Sequence, residues 1–259
     1  MSFFGLAYVL SWAWYLPLMI RGDRIRSGVG WPTDVPALLG PATAAVVMTA
    51  MVHGRPGLRD LWSRLTRWHI GWTWWLLVAG TLSLGLLGVL IPLVTGQNVP
   101  TLTDFTSYPG IGHITALGFV AVVFVGGVGE EVGWRGFAAD RLLRDHSLGW
   151  TALVVGVSWA GWHLPLFWLV DSYRSMGVMS AGWLVGLIAG SVVLTFLYRE
   201  GRRSILLVAA WHAAFNLTSG TTATGAAVGT ASSVLVICWA LWVARRERQR
   251  ALTDSGIGS

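Results

Sequence analysis

The chain has 259 residues, of which 54% are hydrophobic and only 12% are charged. Because soluble domains carry about 25% charged residues, this composition excludes an ordinary soluble domain and indicates an integral membrane protein. The net charge is +6, and every basic residue is an arginine. The arginines form short clusters between long apolar runs, as in loops that face anionic lipid headgroups. This pattern predicts contact with the lipid bilayer and no nucleic-acid partner.

Eight apolar runs are long enough to cross a bilayer as helices, which takes about 17–25 residues. They are residues 3–20, 36–52, 72–95, 112–134, 150–170, 181–198, 203–220 and 227–244. Backbone polar groups cannot stay unpaired in lipid, and the sequence lacks the alternating pattern of barrel strands. The predicted fold class is therefore all-α, a polytopic membrane helix bundle of about eight transmembrane helices. We expect residues 1–250 to form one membrane-embedded domain and residues 251–259 to form a disordered tail.

The arginines also predict the orientation of the chain in the membrane. Fourteen of them lie on the side that holds both termini, and four lie on the opposite side. Those four are Arg21, Arg24, Arg26 and Arg174. The positive-inside rule then places both termini in the cytoplasm. The use of arginine alone is typical of a GC-rich bacterial genome, so the expected location is the bacterial inner (plasma) membrane.

The segment between the second and third runs has a helical pattern of its own. Its apolar residues Leu58, Leu61, Trp62 and Leu65 follow helical spacing, and arginines and an aspartate occupy much of the remainder. This pattern predicts either a short amphipathic helix on the cytoplasmic surface or a solvated basic loop.

Ionisable side chains inside apolar runs cost free energy unless they are paired or hydrated, so they are candidates for function. The fourth run contains Glu130 and Glu131, followed by Arg135. Glu131 and Arg135 are four residues apart, so they can form an ion pair along one helix face and support the site. Glu130 then turns into the bundle, where a desolvated carboxylate suits a general base. The structural alternative is a pair of salt-bridged charges near a helix end.

Two further runs contain imidazole side chains. His163 lies two residues before Pro165, which should kink the fifth helix near the imidazole, and on its own it is also compatible with simple packing. His212 and Asn216 share one face of the seventh helix, which suits either stabilisation of an oxyanion or hydrogen bonds between helices. Counted from the cytoplasmic side at 1.5 Å per residue, these groups and Glu130 should meet roughly 10–20 Å below that surface.

Three motifs that lie in this order resemble those of the CAAX protease and bacteriocin-processing (CPBP, or Abi) family of intramembrane endopeptidases. The matching residues are Glu130, Glu131 and Arg135 for EExxxR, Trp159 and His163 for FxxxH, and His212 and Asn216 for HxxxN. The resemblance covers residues 112–220. Trp159 departs from the pattern because it stands where the family has phenylalanine.

The resemblance implies an eight-helix endopeptidase, related to the type II CAAX prenyl proteases, whose site opens to the cytoplasmic side. By this resemblance Glu130 and His163 activate a water that attacks the scissile carbonyl, and His212 and Asn216 bind the oxyanion. The expected partner is a peptide or small membrane protein near the cytoplasmic leaflet. No cofactor is required in this interpretation.

Two alternatives stay open. Glu130, His163 and His212 form a possible set of three zinc ligands with an open fourth position, as in a metalloprotease. Asn216 beside His212 fits an oxyanion hole better than a ligand set, which favours the glutamate-activated water. The alternative from another class is a non-proteolytic membrane scaffold, an immunity protein or a proton-coupled transporter that uses the same cluster. Every aspartate lies in a loop or at the end of a run, which disfavours an aspartyl protease.

Overall fold

Seven helices that are long and apolar enough to cross a membrane and one shorter apolar helix, Ile205–Ser219, make up most of the molecule in a computed structural model that describes residues 3–112, 114–221, 223 and 225–254. Numbered first to eighth, the spans are Phe3–Ile20, Val35–Leu65, Trp72–Thr95, Ala116–Asp145, Leu148–Leu169, Met179–Glu200, Ile205–Ser219 and Gly225–Asp254. Within the described residues the only strand-like pairings are isolated β-bridges. The predicted all-α polytopic bundle of about eight helices is confirmed.

Four of the spans are interrupted or change their winding. The second span comprises Val35–Leu38 and Gly40–Leu65, and the fifth comprises Leu148–Trp162 and Leu166–Leu169. The third span contains a 3-10 turn, Leu84–Leu86, between Trp72–Ser83 and Leu87–Thr95. The fourth contains a π-helical turn, Trp134–Ala139, between Ala116–Gly133 and Asp140–Asp145. The break in the fifth span lies directly before Pro165, as predicted. The connections contain two further short helices, Leu102–Phe105 and Asp171–Arg174.

The second span continues beyond the predicted run. Its backbone breaks at Gly54, where φ is 56° and ψ is −151°, and the helix then proceeds to Leu65. The predicted amphipathic helix is therefore present, and the loop alternative is wrong. Leu61 and Arg64 of this segment are buried inside the bundle, whereas Trp62 is exposed.

The eighth span also exceeds its prediction. It continues to Asp254, so the predicted disordered tail at 251–259 is helical in its first four residues. The arginine- and glutamate-rich sequence before residue 251 favours helix, which explains why the helix extends past the apolar run. Residues 255–259 lie outside the described residues.

The fourth span is central to the bundle. It packs against the second and seventh spans, and its residues from Gly129 to Asp140 are all buried. Small residues allow this close approach, because a Cβ at Gly127 would lie 2.9 Å from the Ala209 carbonyl oxygen and one at Gly133 would lie 2.5 Å from Pro41. The polar side chains of the fourth span are thereby kept away from lipid.

The connections between spans cluster at two opposite ends of the bundle. The terminal face holds the start of the first span, the end of the eighth span and the connections 66–71, 146–147 and 201–204. Its contacts include the hydrogen bond from Ser204 Oγ to the Arg67 carbonyl. The distal face holds the described residues of the connections 21–34, 96–115, 170–178 and 220–224. The first three pack together, as shown by hydrogen bonds from Gly28 N to Tyr108 O and from Asp171 N to Ile25 O.

Candidate active site

A cavity of about 200 Å³ lies among the spans and holds most of the predicted site residues. Those that line it are Glu130, His163, His212 and Asn216. Glu131 and Arg135 lie behind the cavity wall and are wholly buried. The structure therefore brings together residues from three helices and separates them into a group that faces the cavity and a pair that supports it from behind.

Glu131 joins the fourth span to the seventh. Its Oε1 accepts hydrogen bonds from Arg135 Nη1 and from His212 Nδ1, each at 2.9 Å. The i,i+4 ion pair predicted from the sequence is thus present. Because Nδ1 of His212 faces a carboxylate, Nε2 is the ring nitrogen left for the cavity. The same carboxylate stabilises a positively charged imidazolium, which would donate a hydrogen bond from Nε2.

Arg135 is a buried cation with incomplete hydrogen bonding. Within the described part of the chain its Nε and Nη2 have no hydrogen-bond partner, and neither does Glu131 Oε2. The guanidinium carbon lies 4.7 Å from the centre of the Trp159 ring, so the indole face contributes cation–π stabilisation. The charge of Arg135 is therefore held between Glu131 and an aromatic ring.

Trp159 contacts nearly every part of the site, which the motif comparison did not predict. Its Nε1–H donates to Glu130 Oε2 at 2.6 Å, and its carbonyl accepts from His163 Nδ1 at 2.7 Å. Its ring also lies edge-on to His212, with the centroids 5.4 Å apart. The only sequence signal was the departure from FxxxH, since phenylalanine has no N–H group to offer a carboxylate.

His163 has a defined tautomer. A carbonyl oxygen has no hydrogen, so Nδ1 must be the protonated nitrogen in its bond to Trp159, and Nε2 carries the lone pair when the ring is neutral. The ring stacks on Tyr173 and lies edge-on to Trp183, with centroids 6.4 Å and 5.5 Å away. These contacts hold the imidazole at the broken end of the helix before Pro165.

Asp34 is a further polar group in the cavity that the motif comparison missed. It comes from the distal face, and its side chain lines the cavity with Tyr108 and Tyr173. Asp34 is 7% exposed, and burial raises the pKa of its carboxyl to about 7. Burial also raises the pKa of both tyrosine phenols. Nothing in the local sequence marks these residues, because they reach the site only when the connections fold over it.

The cavity lies in the distal half of the bundle. The lining residues nearest the terminal face are Glu130 on the fourth span, Trp159 on the fifth, Leu194 on the sixth and Trp211 on the seventh. All other lining residues of these spans lie closer to the distal face, and the distal connections complete the wall. The cavity therefore lies on the side of Glu130 and Trp159 that faces away from the chain termini. The cytoplasmic orientation of the termini and the cytoplasmic opening of the site both stay predictions.

Glu130, His163 and His212, the three predicted zinc ligands, all line the cavity. Among the described residues, no group of three or more His, Cys, Asp and Glu side chains is placed to hold a metal ion. Glu130 Oε2 accepts the Trp159 indole hydrogen, and Nδ1 of His163 and His212 are both hydrogen-bonded. Hydrogen-bonded Nδ1 atoms are also usual for histidines that bind a metal through Nε2, so these contacts are compatible with both mechanisms.

Two comparisons with known proteins agree with this geometry. Residues 112–218 match a family model described as type II CAAX prenyl endopeptidase Rce1-like. The chain is also similar to CAAX prenyl protease 2 of Methanococcus maripaludis, with 24% identity over 227 residues that cover 84% of this chain and 81% of that protein. The matched segment contains all three motifs. Together with the helical bundle, these similarities confirm the predicted resemblance: the chain is an integral, multi-pass membrane protein similar to the type II CAAX prenyl endopeptidases, and the similarity supports an intramembrane endopeptidase.

Proposed function

We propose that the chain hydrolyses a peptide bond inside the membrane, with Glu130 and His163 activating a water and His212 and Asn216 stabilising the oxyanion. The observation that carries this proposal is the convergence of four polar side chains from three helices on one largely apolar cavity. Such groups are costly in a membrane, so their clustering around an open space favours chemistry over packing.

Glu130 is the group that suits the general base. Trp159 Nε1–H fixes its Oε2, which leaves Oε1 to accept a hydrogen bond from a water. The lone pair on His163 Nε2 would accept the second hydrogen of that water and orient it. As the water oxygen attacks the scissile carbonyl carbon, its proton passes to Glu130 and then to the leaving amine, whose C–N bond breaks.

His212 and Asn216 suit the negative charge that develops on the carbonyl oxygen. The Glu131 carboxylate stabilises an imidazolium at His212, whose Nε2–H would donate to the oxyanion. Asn216 follows one turn later on the same helix and lines the same cavity, so its amide N–H₂ would supply a second donor. Glu131 and Arg135 act behind this pair as supporting groups.

The substrate proposed is a peptide or a small membrane protein, and the proposed location is a bacterial inner membrane. The curated relative is named a prenyl protease, but the use of arginine alone suggests a GC-rich bacterium, where prenylated proteins are not expected. We therefore propose a peptide substrate and do not propose that it carries a prenyl group.

Cleavage of a quenched fluorescent peptide library by the purified protein in detergent tests the mechanism. We expect activity in the wild type and its loss in Glu130→Ala and His163→Ala, without an effect of a chelator. The matched controls are Asp145→Asn and His146→Ala, which change exposed residues on the terminal face and should keep activity.

Two results would contradict this mechanism in different ways. Activity that survives in both site variants would remove these residues from the chemistry and favour a scaffold or transporter role for the cluster. Activity that is lost on chelation and restored by zinc would replace the glutamate-activated water with a metalloprotease mechanism.

A further inference from the structure

We infer that Asp34 forms a subsite that binds one positively charged group of the peptide substrate at the distal end of the cavity. This inference rests on the proposed function, because it identifies a specificity-determining residue of the same site. It is carried by the buried carboxylate of Asp34, which has no structural role and no counter-ion among the described residues, and by the aromatic rings beside it.

Asp34 lies at a position where an aspartate normally has a structural role. It directly precedes the helix Val35–Leu38, and an aspartate there usually accepts a hydrogen bond from a backbone N–H of the first helical turn. Its carboxylate accepts no such bond. Thr33 Oγ1 instead accepts the N–H of Val35 at 3.2 Å. The carboxylate of Asp34 therefore does not stabilise the start of the second span.

The carboxylate also lacks a counter-ion. Asp34 is 7% exposed, and within the described part of the chain it forms no ion pair and no hydrogen bond with another side chain. The titratable side chains that interact electrostatically with it are phenols and a carboxylic acid, namely Tyr15, Tyr108, Tyr173 and Glu130. A buried carboxylate in such surroundings is costly unless a positive charge binds to it. The substrate is the remaining source of that charge.

A glycine allows a second connection to pack closely against the carboxylate. Gly110 has a φ of 72°, and a Cβ at this residue would lie 2.7 Å from Asp34 Oδ1. Gly110 N also donates to the Arg26 carbonyl at 3.2 Å, which joins the connection 96–115 to the connection 21–34. The carboxylate is therefore held in place in the cavity wall.

The aromatic rings beside Asp34 suit the same kind of ligand. Tyr108 and Tyr173 line the cavity with Asp34. The face of an aromatic ring attracts a cation that lies within about 6 Å of the ring centroid. A carboxylate and two phenol rings in one wall are therefore suited to an ammonium or guanidinium group.

The rest of the cavity indicates what surrounds this positive charge. Most of the lining side chains are apolar, and a Cβ at Gly186 or Gly190 of the sixth span would meet no other atom within 4 Å. This free space gives room for the backbone of an extended peptide. Glu130 is the lining residue of the fourth span nearest the terminal face, so it lies towards the opposite end of the cavity from Asp34. The substrate class is therefore a largely apolar peptide with a basic side chain or a free amino terminus away from the cleaved bond.

Peptide binding tests the subsite without using cleavage. The protein is Glu130→Gln in detergent, a variant that also removes the other carboxylate of the cavity lining. The probes are fluorescent, N-acetylated peptides of leucine and alanine in which one lysine is moved along the chain, with matched peptides that carry methionine or glutamate instead. At one position lysine should lower Kd by about 10–100-fold relative to methionine, and glutamate should raise it. Equal Kd values at every position, or no measurable binding, would overturn the inference.

A matched pair of variants assigns the preference to Asp34. Asp34→Asn in the same background should abolish the preference for lysine, whereas Asp171→Asn, which changes an exposed carboxylate of the distal face, should keep it. A preference that survives in Asp34→Asn would overturn the inference. The comparison of lysine with methionine needs no change at Asp34, so it decides the question even if Asp34→Asn fails to fold.

Two further arms separate the outcomes. An unacetylated peptide without lysine distinguishes the two sources of charge, because its Kd should depend on Asp34 only if the subsite binds an amino terminus. Failure of the proposed function would appear as an absence of cleavage by the wild type. It would leave the difference in Kd between the lysine and methionine peptides unchanged.

Discussion

Two buried charged clusters lie at different levels of this bundle, and they differ in how completely their atoms are paired. In the terminal cluster, Arg64 and Asp140 are linked through Tyr198 Oη, and Arg203 completes the pairing of the aspartate. In the site cluster, Glu131 Oε2 and two nitrogens of Arg135 have no hydrogen-bond partner among the described residues. The first cluster joins the second, fourth and sixth spans, whereas the second stands beside an open cavity.

Buried charge alone therefore does not identify a functional site. Both clusters sit in apolar helices, and both have arginine and acidic residues at i,i+4 spacing. Only the site cluster adds imidazoles and a carboxylate that keep free atoms towards a cavity. Substitutions beside the cavity should therefore lower activity more than stability, and substitutions in the terminal cluster should lower stability more than activity.

The largest effect on activity is expected for Glu130→Gln. The change keeps the size of the side chain and its acceptor for Trp159, but it removes the general base, which contributes about 10²–10⁴-fold in rate. The measurement is kcat for a library-derived peptide, with thermal unfolding in detergent as the control for folding. An unchanged kcat would show that the two clusters do not differ in the proposed way.

The largest effect on stability is expected for Asp140→Asn in the terminal cluster. The variant removes the buried carboxylate that lies 3.6 Å from Arg64 and pairs with Arg203. Breaking a buried pair costs up to about 3–5 kcal/mol, and Asp60, which still pairs with Arg64 at 2.8 Å, reduces this cost. Thermal unfolding should occur at a lower temperature, while kcat of the protein that remains folded should stay near the wild-type value. Loss of kcat without loss of stability would contradict the structural role of this cluster.

Trp159→Phe should have an intermediate effect, because it restores the family's aromatic ring but removes the indole N–H from Glu130. A hydrogen bond to a charged group contributes about 1.5–3 kcal/mol, so kcat should fall by roughly 10–100-fold with little change in KM. The control is Trp134→Phe, since Trp134 is also buried but its Nε1 has no partner among the described residues. If both variants lost kcat equally, the hydrogen bond would not explain the role of Trp159.

The smallest effect is expected for Asp34, whose ionisation should make the selectivity between peptide substrates depend on pH. Because burial raises the pKa of its carboxyl to about 7, the cavity becomes more negative as the pH rises through neutrality. The kcat/KM ratio between two peptides that differ only by lysine or glutamate should therefore increase with pH. Asp34→Asn should flatten this dependence, whereas Asp171→Asn, on the exposed distal surface, should not. A pH dependence that persists in Asp34→Asn would assign it to another group.

The sequence was sufficient for the parts of the structure that depend on local pattern. Hydrophobic run length predicted the eight spans, and the i,i+4 spacing predicted the ion pair of Glu131 and Arg135. The position of Pro165 predicted the break beside His163. The three motifs also selected the residues that share the cavity, because their order reflected a known family.

The remaining features depend on tertiary contacts that local pattern does not encode. The hydrogen bond between Trp159 and Glu130 joins two helices, and Asp34 enters the cavity only through the packing of the distal connections. A residue count along each helix gives the depth of a side chain, but it does not identify the connections that fold over the cavity.

The most direct test of the central claim compares Glu130→Gln with Asp140→Asn in one peptide-cleavage assay, with kcat expressed per folded molecule. The account predicts that Glu130→Gln unfolds like the wild type but loses most of its kcat, and that Asp140→Asn unfolds more easily but retains kcat. Retention of kcat in Glu130→Gln would contradict the account, because the cavity would then not be where peptide hydrolysis occurs.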